Sequence, residues 1–383
     1  MHGIDEIGIK GEVYTDEVHR RLYATDASAY RELPLAVVVP AVQEDIKKLI
    51  DYARAHHTSL IPRTAGTSLA GQVVGKGIVV DVSKNLNKII ELNESEQWVR
   101  VQPGVVRDDL NRFLKPYGLY FGPETSTANR AMIGGMIGNN SCGSNSVVYG
   151  STRDHLLESR GYLSDGSFTV FGEMEKSQLM DKVLGLGVVS ELENSIYFET
   201  HDMLKKKENL ELIKKSFPKS SIPRRNTGYA IDLLSGLKPY DEKGRDFNFN
   251  RLIAGSEGTL FFITEAKLSL SKLPPAHNQL ICIHCHSIQE SLEANLVALQ
   301  YGPSAVELMD HYILECTKTN ITYRQQRFFI QGDPKAILVA ELADHDPAKL
   351  GQKVEALIQA LKEKKLGYHY PVCLLYTSDA ADD

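Results

Sequence analysis

The organising segment of this sequence is Gly122-Pro-Glu-Thr-Ser-Thr-Ala-Asn-Arg-Ala-Met-Ile-Gly-Gly-Met-Ile-Gly-Asn-Asn-Ser-Cys-Gly-Ser-Asn-Ser146. Most of its residues are Gly, Ser, Thr, Ala or Asn, and so little apolar volume cannot fill an ordinary hydrophobic core. Small residues let a backbone approach a ligand closely, and free N–H groups in turns attract anionic groups such as pyrophosphate. We therefore predict a floor on which a large cofactor lies. The structural alternative is a long Gly/Ser surface loop.

Composition narrows the classes of protein. A chain of 383 residues with 42% apolar content can bury substantial cores, and its length favours about two or three domains. The net charge of −6, without a basic stripe, argues against a nucleic-acid partner. We find no secretory pattern at the start and no apolar run of eighteen or more residues, so we expect a cytoplasmic protein without a transmembrane segment. The five scattered cysteines suit reduced thiols.

A β-α-β unit is predicted near the start of the chain. Residues 35–39 form a short apolar run, and residues 60–62 form a second one. Between them, residues 43–56 have one apolar helix face, made by Ile46, Leu49, Ile50 and Ala53. In such a unit the ligand lies beyond the carboxyl ends of the strands.

A glycine-rich loop, residues 62–72, occupies that position. Its backbone N–H groups and the hydroxyls of Thr64, Thr67 and Ser68 can surround phosphate oxygens. The loop lacks the Walker ending and the Gly-x-Gly-x-x-Gly of nicotinamide enzymes. Residues 66–70 approach the Gly-x-Ser-x-Gly of serine hydrolases, but the last glycine is missing, which disfavours that interpretation.

Short predicted strands at 77–82, 89–90 and 98–101 and a predicted helix at 108–117 follow the loop. Together with the preceding unit they indicate an α+β fold of two compact lobes. The two glycine-rich segments are expected to face each other across a cleft. This layout differs from the doubly wound dinucleotide fold.

Five ordered motifs carry a family resemblance. They lie at 62–72, 101–104, 133–143, 149–155 and 255–265. Their order resembles that of the FAD-linked oxidases of the vanillyl-alcohol oxidase type, which have a PCMH-type FAD-binding domain. Within that group the chain is most similar to the D-2-hydroxy-acid dehydrogenases, the relatives of D-lactate dehydrogenase, glycolate oxidase and D-2-hydroxyglutarate dehydrogenase. The resemblance covers about residues 20–345.

The resemblance implies a domain organisation. An N-terminal segment, 1–32, precedes a two-lobed PCMH-type FAD-binding domain at 33–272. The lobes are expected at about 33–103 and 104–272, with a helical insertion at about 174–218. An α+β substrate cap, expected to be incomplete, follows at 273–375. The acidic, small-residue stretch 376–383 differs in composition from what precedes it, and we interpret it as a non-native tail on an N-terminal fragment.

The family positions that match this sequence imply an FAD site between the lobes. Its residues are expected to be Arg63, Thr64, Ala65, Gly66, Thr67, Ser68, Pro123, Thr125, Ser126, Ile133, Gly134, Gly135, Asn140, Gly143, Glu257, Gly258 and Ile263. Some family members tether the flavin covalently through a histidine in the first loop. Thr67 holds that place here, which implies non-covalent FAD.

The implied reaction is the FAD-dependent oxidation of a D-2-hydroxy acid, of the lactate, glycolate or 2-hydroxyglutarate class, to the 2-oxo acid. Such a substrate needs a cation for its carboxylate, and a guanidinium supplies two parallel hydrogen bonds. The candidates are Arg225 and its neighbour Arg224. The structural alternative is an exposed arginine pair on a loop.

One further segment has both a functional and a simpler structural interpretation. Residues 282–286 match the Cys-x-x-Cys-His of haem attachment, and His284 and His286 could share a strand face and bind a metal. The alternation and length of the segment instead favour a plain cap strand. No metal site is predicted, and an iron–sulfur cluster is expected only in a C-terminal part beyond this sequence.

Some questions stay open at the level of sequence. The general base and any metal ligands are expected beyond residue 375, so an FAD-binding module without turnover is the alternative to an enzyme. A sugar-lactone or alcohol oxidase of the same fold is a second alternative. The electron acceptor, whether a quinone, a cytochrome, an electron-transfer flavoprotein or oxygen, is not indicated. Peripheral association with the inner face of the membrane is compatible with the expected cytoplasmic location.

Overall fold

The computed structural model describes residues 3–219, 221–222, 224–226 and 228–374. The chain folds into two compact units. Unit 1 comprises the chain up to Gly143 together with Gly150–Lys272, and unit 2 comprises Ser144–Tyr149 together with the chain from Leu273 onward. The stretch 376–383, interpreted above as a tail, lies outside the described residues.

Both units mix strands and helices. The strands are β1 (Glu12–Tyr14), β2 (Ala36–Val39), β3 (Leu60–Arg63), β4 (Ile78–Asp81), β5 (Ile89–Asn93), β6 (Trp98–Val101), β7 (Leu119–Tyr120), β8 (Leu156–Tyr162), β9 (Phe168–Phe171), β10 (Phe262–Ser269), β11 (Ser271–Lys272), β12 (His277–Cys285), β13 (Ala305–Asp310), β14 (Ala336–Asp344) and β15 (Val372–Leu374). The α-helices are α1 (Glu17–Leu22), α2 (Gln43–Ala55), α3 (Arg107–Leu114), α4 (Ile133–Asn139), α5 (Ser146–Tyr149), α6 (Thr152–His155), α7 (Lys176–Val183), α8 (Glu191–Leu204), α9 (Lys207–Ser216), α10 (Ile231–Ser235), α11 (Asn250–Ile253), α12 (Ile288–Ala298), α13 (His311–Thr319), α14 (Ile321–Arg324) and α15 (Pro347–Glu363). Short 3-10 helices are formed by Ile4–Glu6, Lys115–Tyr117, Leu299–Tyr301 and Gln325–Phe329.

The first sheet of unit 1 has the order β1-β2-β4-β3. Strands β2, β4 and β3 run parallel, and α2 connects β2 to β3 as the predicted β-α-β unit requires. The predicted apolar helix face is confirmed, because Ile46, Leu49, Ile50 and Ala53 are all buried. The carboxyl end of β3 therefore presents the glycine-rich loop, as expected for a parallel arrangement.

The N-terminal segment joins this sheet, which its sequence did not indicate. Strand β1 pairs antiparallel with β2. The fully buried carboxylate of Asp45 in α2 accepts hydrogen bonds from the backbone N–H groups of Lys10 at 2.9 Å, Gly11 at 3.1 Å and Ala41 at 3.0 Å. Hydrogen bonds to a charged acceptor are the stronger kind, so this carboxylate fixes the N-terminal segment to α2.

The second sheet of unit 1 is antiparallel, with the order β5-β6-β10-β8-β9. This sheet contains strands from both sides of the predicted lobe boundary at residue 103. Strands β5 and β6 precede that boundary, and β6 pairs with β10 from Val101 opposite Ala266 to Trp98 opposite Ser269. All four residues of β6 are buried because the strand lies between two others. Local sequence could not show this pairing, since its partner lies more than 160 positions away.

The predicted helical insertion contains α7, α8 and α9. These helices share an aromatic-rich core with β9 and with the segment around α10 and α11. Its buried members include Phe171, Tyr197, Phe247, Phe249 and Phe261. The rings of Phe247 and Phe249 meet edge to face with their centroids 4.8 Å apart, a favourable arrangement for aromatic pairs. The insertion is thus packed into unit 1.

Unit 2 is built on an antiparallel sheet of order β13-β14-β12-β15. Helices α12 and α15 pack on one face of this sheet, and α13 contributes Leu314 to a smaller cluster with Cys282 and Ile337. The segment 282–286 begins inside β12, and Cys282, His284 and Cys285 are buried. The Nδ1 of His284 lies 2.9 Å from the Cys282 carbonyl oxygen, and its Nε2 accepts from Gln331 N–H. Both ring nitrogens are therefore occupied, which supports the interpretation as a plain strand.

Candidate functional site

The first glycine-rich loop leaves the carboxyl end of β3 and turns at Gly66, whose φ of +65° suits glycine. The side chain of Arg63 binds the N-terminal segment. Its Nη1 donates to the Thr25 carbonyl oxygen at 2.9 Å, and its guanidinium lies over the Tyr23 ring. The Ala27 N–H donates in turn to the Gly66 carbonyl oxygen at 3.1 Å. The N-terminal segment thereby supports the loop from behind.

Tyr23 strengthens this support. Its hydroxyl donates to Asp81 Oδ2 at 2.6 Å, at the end of the neighbouring strand β4. Burial first, and then the hydrogen bond to Asp81, raise the pKa of the Tyr23 phenol. The phenol therefore stays a neutral donor throughout the physiological pH range.

The second glycine-rich segment contains α4, a helix with two unlike faces. Ile133, Met136 and Ile137 have the i, i+3, i+4 spacing of one face, and all three are buried in the core of the second sheet. Gly135, Gly138 and Asn139 have the same spacing on another face. The large side chains fix the helix to the core, and the small ones leave its other surface open.

The glycines of α4 permit two close approaches. A Cβ atom on Gly134 would lie 2.6 Å from the Cβ of Pro103, and one on Gly135 would lie 2.7 Å from Oγ1 of Thr64. Both distances are shorter than carbon atoms tolerate. Gly134 therefore lets α4 approach Pro103, and Gly135 lets it approach Thr64 of the first loop.

A third segment, residues 255–263, closes around the end of α4. The Gly255 N–H donates to the Ile137 carbonyl oxygen at 2.9 Å, and the Glu257 N–H donates to that of Gly138 at 3.0 Å. These bonds satisfy carbonyl groups that a helix end leaves unpaired. Glu257 adopts a φ of +54°, which is unusual for a residue with a side chain.

Two cavities in unit 1 are formed by these three segments. The first is lined by Pro62, Arg63, Thr64, Gln72, Val73, Val82, Pro103, Gly134, Gly135, Gly138, Asn139, Ile253, Ser256, Glu257, Gly258, Phe261, Phe262 and Ile263. The second is lined by Thr64, Gly66, Thr67, Ser68, Leu69, Ala70, Gln72, Val73, Thr125, Ser126, Thr127, Ala131, Met132, Gly135, Met136, Asn139 and Ser141. They share Thr64, Gln72, Val73, Gly135 and Asn139, so they join along the open face of α4.

Most of the predicted cofactor residues line one or both cavities. These are Arg63, Thr64, Gly66, Thr67, Ser68, Thr125, Ser126, Gly134, Gly135, Glu257, Gly258 and Ile263. The first loop, α4 and the third segment thus lie around the same two cavities. Together the two cavities form an elongated site. Hydroxyl groups and backbone line one end, and phenylalanine rings line the other. Such a site suits an extended ligand with a charged part and an aromatic part.

The remaining predicted residues, Ala65, Pro123, Ile133, Asn140 and Gly143, line neither cavity. Ile133 is fully buried, because a branched apolar side chain at the start of α4 belongs to the core. The Pro123 carbonyl oxygen accepts from Arg107 Nε at 3.2 Å. A Cβ on Gly143 would lie 2.8 Å from the Glu124 carbonyl oxygen, which explains the glycine by backbone packing.

Asn140 has a structural task instead. It ends α4 with a φ of +49° and is buried. Its Oδ1 accepts from the Arg153 N–H at 2.9 Å, and its Nδ2 donates to Asn226 Oδ1 at 2.9 Å. Both polar groups of the amide are used, so the side chain ties the end of α4 to two other segments.

Arg225 and Arg224 lie outside both cavities. Arg225 lines a separate cavity of unit 1, where its Nη1 pairs with Asp232 Oδ2 and donates to the Pro218 carbonyl oxygen at 3.2 Å. Arg224 is exposed. Asp232, seven residues further along the chain, neutralises the charge of Arg225 that a substrate carboxylate would use. The sequence analysis did not identify this ion pair.

The side-chain oxygen of Gln72 is a buried hydrogen-bond acceptor without a donor among the described residues. Gln72 lines both cavities, and its Nε2 donates to Glu257 Oε1 at 3.3 Å. Its Oε1 is buried and accepts no hydrogen bond within the described part of the chain. A buried acceptor without a donor is costly, so the position fits a ligand that carries an N–H or O–H group. Val73, Asn139, Pro103, Phe261 and Phe262 also line the site but were not singled out by the sequence.

The chain is similar to a protein family and to several known proteins. Residues 34–172 match the protein family described as FAD binding domain. D-2-hydroxyglutarate dehydrogenase of Pseudomonas putida is 35% identical over 369 residues, which cover 94% of this chain and 35% of that protein. The enzyme of the same name from Escherichia coli K12 is 33% identical over 372 residues, or 95% of this chain and 35% of its own length. Glycolate oxidase subunit GlcD of Bacillus subtilis is 27% identical and is covered for 49% of its length, with 76% of this chain.

A solved structure of alkyldihydroxyacetonephosphate synthase shares the fold. It superposes with a TM-score of 0.60 and 14% identity, covering 93% of this chain and 57% of its own. The chain therefore shares the fold of this synthase, and its residues 34–172 match the FAD binding domain family. The expected α+β fold class and FAD-binding segment are confirmed. The chain spans about a third of the length of the two D-2-hydroxyglutarate dehydrogenases, 35% in each case.

Across the described ranges, no helix combines the length and apolar character needed to cross a bilayer.

The two glycines of α4 allow a matched test of the packing. We expect Gly134→Ala to lower the free energy of unfolding by about 1–3 kcal/mol, because the new methyl group would meet the rigid Pro103 ring. Gly138→Ala gains the same helix propensity, up to about 1 kcal/mol, and would meet only the Glu257 backbone, with its Cα at 3.6 Å. Urea unfolding of both variants measures the difference. Equal stabilities would contradict the close-approach argument.

Proposed function

We propose that this chain binds FAD in the joined cavities of unit 1 and belongs to an enzyme that oxidises a D-2-hydroxy acid to the 2-oxo acid. One observation carries the proposal: the open face of α4, inside the segment matched as an FAD binding domain, lines both cavities. The names of the relatives supply the substrate class. When bound, the flavin supplies the acceptor for the hydride that leaves the carbon bearing the hydroxyl.

The residues of this chain would bind and orient the cofactor. Backbone N–H groups of residues 63–68, with the hydroxyls of Thr67 and Ser68, are proposed to hold the pyrophosphate. The open face of α4 and the segment 257–263 are proposed to hold the flavin, ribityl and adenine parts. The unpaired Gln72 Oε1 is proposed to accept a hydrogen bond from the cofactor.

We propose that the FAD is not covalently attached. Covalent flavin links are made to nucleophilic side chains such as histidine, cysteine or tyrosine. None of these residue types is among the described residues that line the two cavities. Thr67, at the position of the family histidine, is a poor nucleophile by comparison.

Unit 2 is proposed to be the substrate cap. Burial raises the pKa of the Cys282 and Cys285 thiols to about 12, so both thiols stay protonated at neutral pH. All five cysteines are free thiols, which suits the cytoplasm.

A second candidate function is an FAD-binding module without turnover. The observation that favours it is the pairing of Arg225 with Asp232, which leaves the predicted carboxylate ligand neutralised. Flavin content and flavin reduction distinguish the two candidates.

We expect the purified chain to carry FAD that acid precipitation releases completely. Under anaerobic conditions, D-2-hydroxyglutarate or D-lactate is expected to bleach the flavin absorbance, whereas the L-enantiomers are not. Spectrophotometry of the supernatant and a stopped-flow trace are the measurements. If the protein is yellow but no hydroxy acid reduces its flavin, the result supports the FAD-binding module and contradicts the enzyme. If the folded protein is colourless and takes up no FAD, the result contradicts both candidates.

Gln72→Leu isolates the contribution of the unpaired acceptor. Because one hydrogen bond is worth about 1 kcal/mol, we expect the dissociation constant for FAD to rise about five- to tenfold. Flavin fluorescence titration of the apoprotein measures the constant. Lys76→Met is the control, since Lys76 is exposed and lines neither cavity. An unchanged constant in Gln72→Leu would show that Oε1 makes no bond to the cofactor.

Arg225→Met and Asp232→Asn test the proposed carboxylate ligand together. If Arg225 binds substrate, its removal is expected to raise the KM for the D-hydroxy acid about ten- to a hundredfold, because a charge-assisted pair is lost. Asp232→Asn would then keep or lower the KM, since it frees the guanidinium. A purely structural ion pair predicts that both variants lose stability alike and keep the wild-type KM. Arg224→Met, at an exposed position, reports on the neighbouring candidate.

A further inference from the structure

A cluster of metal-ligating side chains lies in unit 2, whereas the cavities described above belong to unit 1. His311 and Glu315 stand four residues apart on α13, so they lie on one helix face. Asp333 comes from the segment between the 3-10 helix Gln325–Phe329 and β14. One ligand atom from each of the three side chains lies within 4.8 Å of the others.

The imidazole of His311 is available to a ligand. Its Nε2 is 3.9 Å from Glu315 Oε1, too far for a hydrogen bond. Its Nδ1 is buried and has no hydrogen-bond partner among the residues that the structure describes. Nε2 is the ring nitrogen that faces Glu315, and an imidazole nitrogen is a common ligand atom for metal ions.

The two carboxylates carry only weak competing partners. Lys318 pairs with Glu315, and Lys335 pairs with Asp333 at 2.8 Å. The side chains of the lysines are 47% and 50% exposed, so each pair is worth little and each ammonium can move into water.

We propose that His311, Glu315 and Asp333 form a binding site for one divalent transition-metal ion, with Zn²⁺ as the best fit. One imidazole nitrogen with carboxylate oxygens is a donor set that Zn²⁺ accepts, whereas Mg²⁺ and Ca²⁺ prefer oxygen alone. A neutral imidazole and two carboxylates also balance the charge of the ion.

The geometry requires only a small closure. Ligand atoms around a tetrahedral ion at about 2.0–2.2 Å lie about 3.3–3.6 Å apart, so the present spacing of up to 4.8 Å must shrink by about 1.2 Å. Glu315 is mounted on a helix, and Asp333 is exposed and able to move toward it. The ion would then fasten the segment before β14 to α13, which stabilises this part of unit 2.

The test is a calorimetric titration of the chelator-treated chain with zinc chloride. We expect one equivalent of Zn²⁺ to bind to the wild-type chain and to raise its Tm. His311→Ala and Asp333→Asn are expected to weaken binding by at least about tenfold, the effect that even indirect supports of a metal site have. Lys335→Ala is expected to tighten it, because the substitution removes a competing cation. Circular dichroism checks that each variant is folded.

Two control variants separate this site from other zinc binding. Cys316, exposed on the same helix, could bind zinc adventitiously, and Glu355 is an exposed acid on α15. Cys316→Ser and Glu355→Gln are expected to keep the wild-type affinity. The proposal is overturned if the wild-type chain takes up no Zn²⁺, if His311→Ala and Asp333→Asn bind as the wild type does, or if Cys316→Ser abolishes the binding.

Discussion

The close contact between α4 and the first glycine-rich loop is the constraint on which unit 1 depends. Gly135 lies against Thr64 of this loop, and Gly134 lies against Pro103 of the segment after β6. At the same time, Ile133 and Ile137 on the other face are fully buried in the core of the antiparallel sheet. The helix is thus fixed by apolar packing on one side so that its backbone can be presented on the other. Large residues on both faces would separate the loops and fill the space between them.

The loop that α4 approaches is itself held from two directions. β3 delivers it at the edge of a parallel sheet, and Arg63 binds the backbone of the N-terminal segment behind it. Asp45 secures an earlier part of that segment by accepting several backbone N–H groups. Rigid supports of this kind lower the entropy that a ligand must remove on binding. They give residues 1–32, which carry no recognisable chemistry, a task in positioning the site.

The sequence predicted the regular and local features well. The β-α-β unit and the buried face of α2 follow from hydrophobic spacing, and the cavity-lining loops follow from the order of the glycine motifs. It failed where the deciding contact is distant. The pairing of β6 with β10 and the Asn140 bonds to Arg153 and Asn226 depend on residues that no local pattern connects.

Some predicted site residues line the cavities, and others hold the backbone around them. A motif marks positions where the backbone must adopt one path, but it does not distinguish a residue that contacts the ligand from one that maintains the path. Gly143 meets the backbone of Glu124, and Asn140 ends a helix, yet both stand in the same motif as Gly135, which lines both cavities. Only the three-dimensional arrangement separates these roles.

A cavity lined by backbone and small residues depends on conformation more than on the identity of its side chains. The synthase that shares this fold has 14% identity with the chain. Main-chain N–H groups are present at every position except proline, so a site that uses them requires a conformation rather than particular side chains. What such a site does require is a few glycines at close approaches and an apolar face to fix the helix. The side chains around such a site can therefore differ between proteins. In this chain Gln72 lines both cavities, and its unpaired oxygen can make a side-chain contact with a ligand.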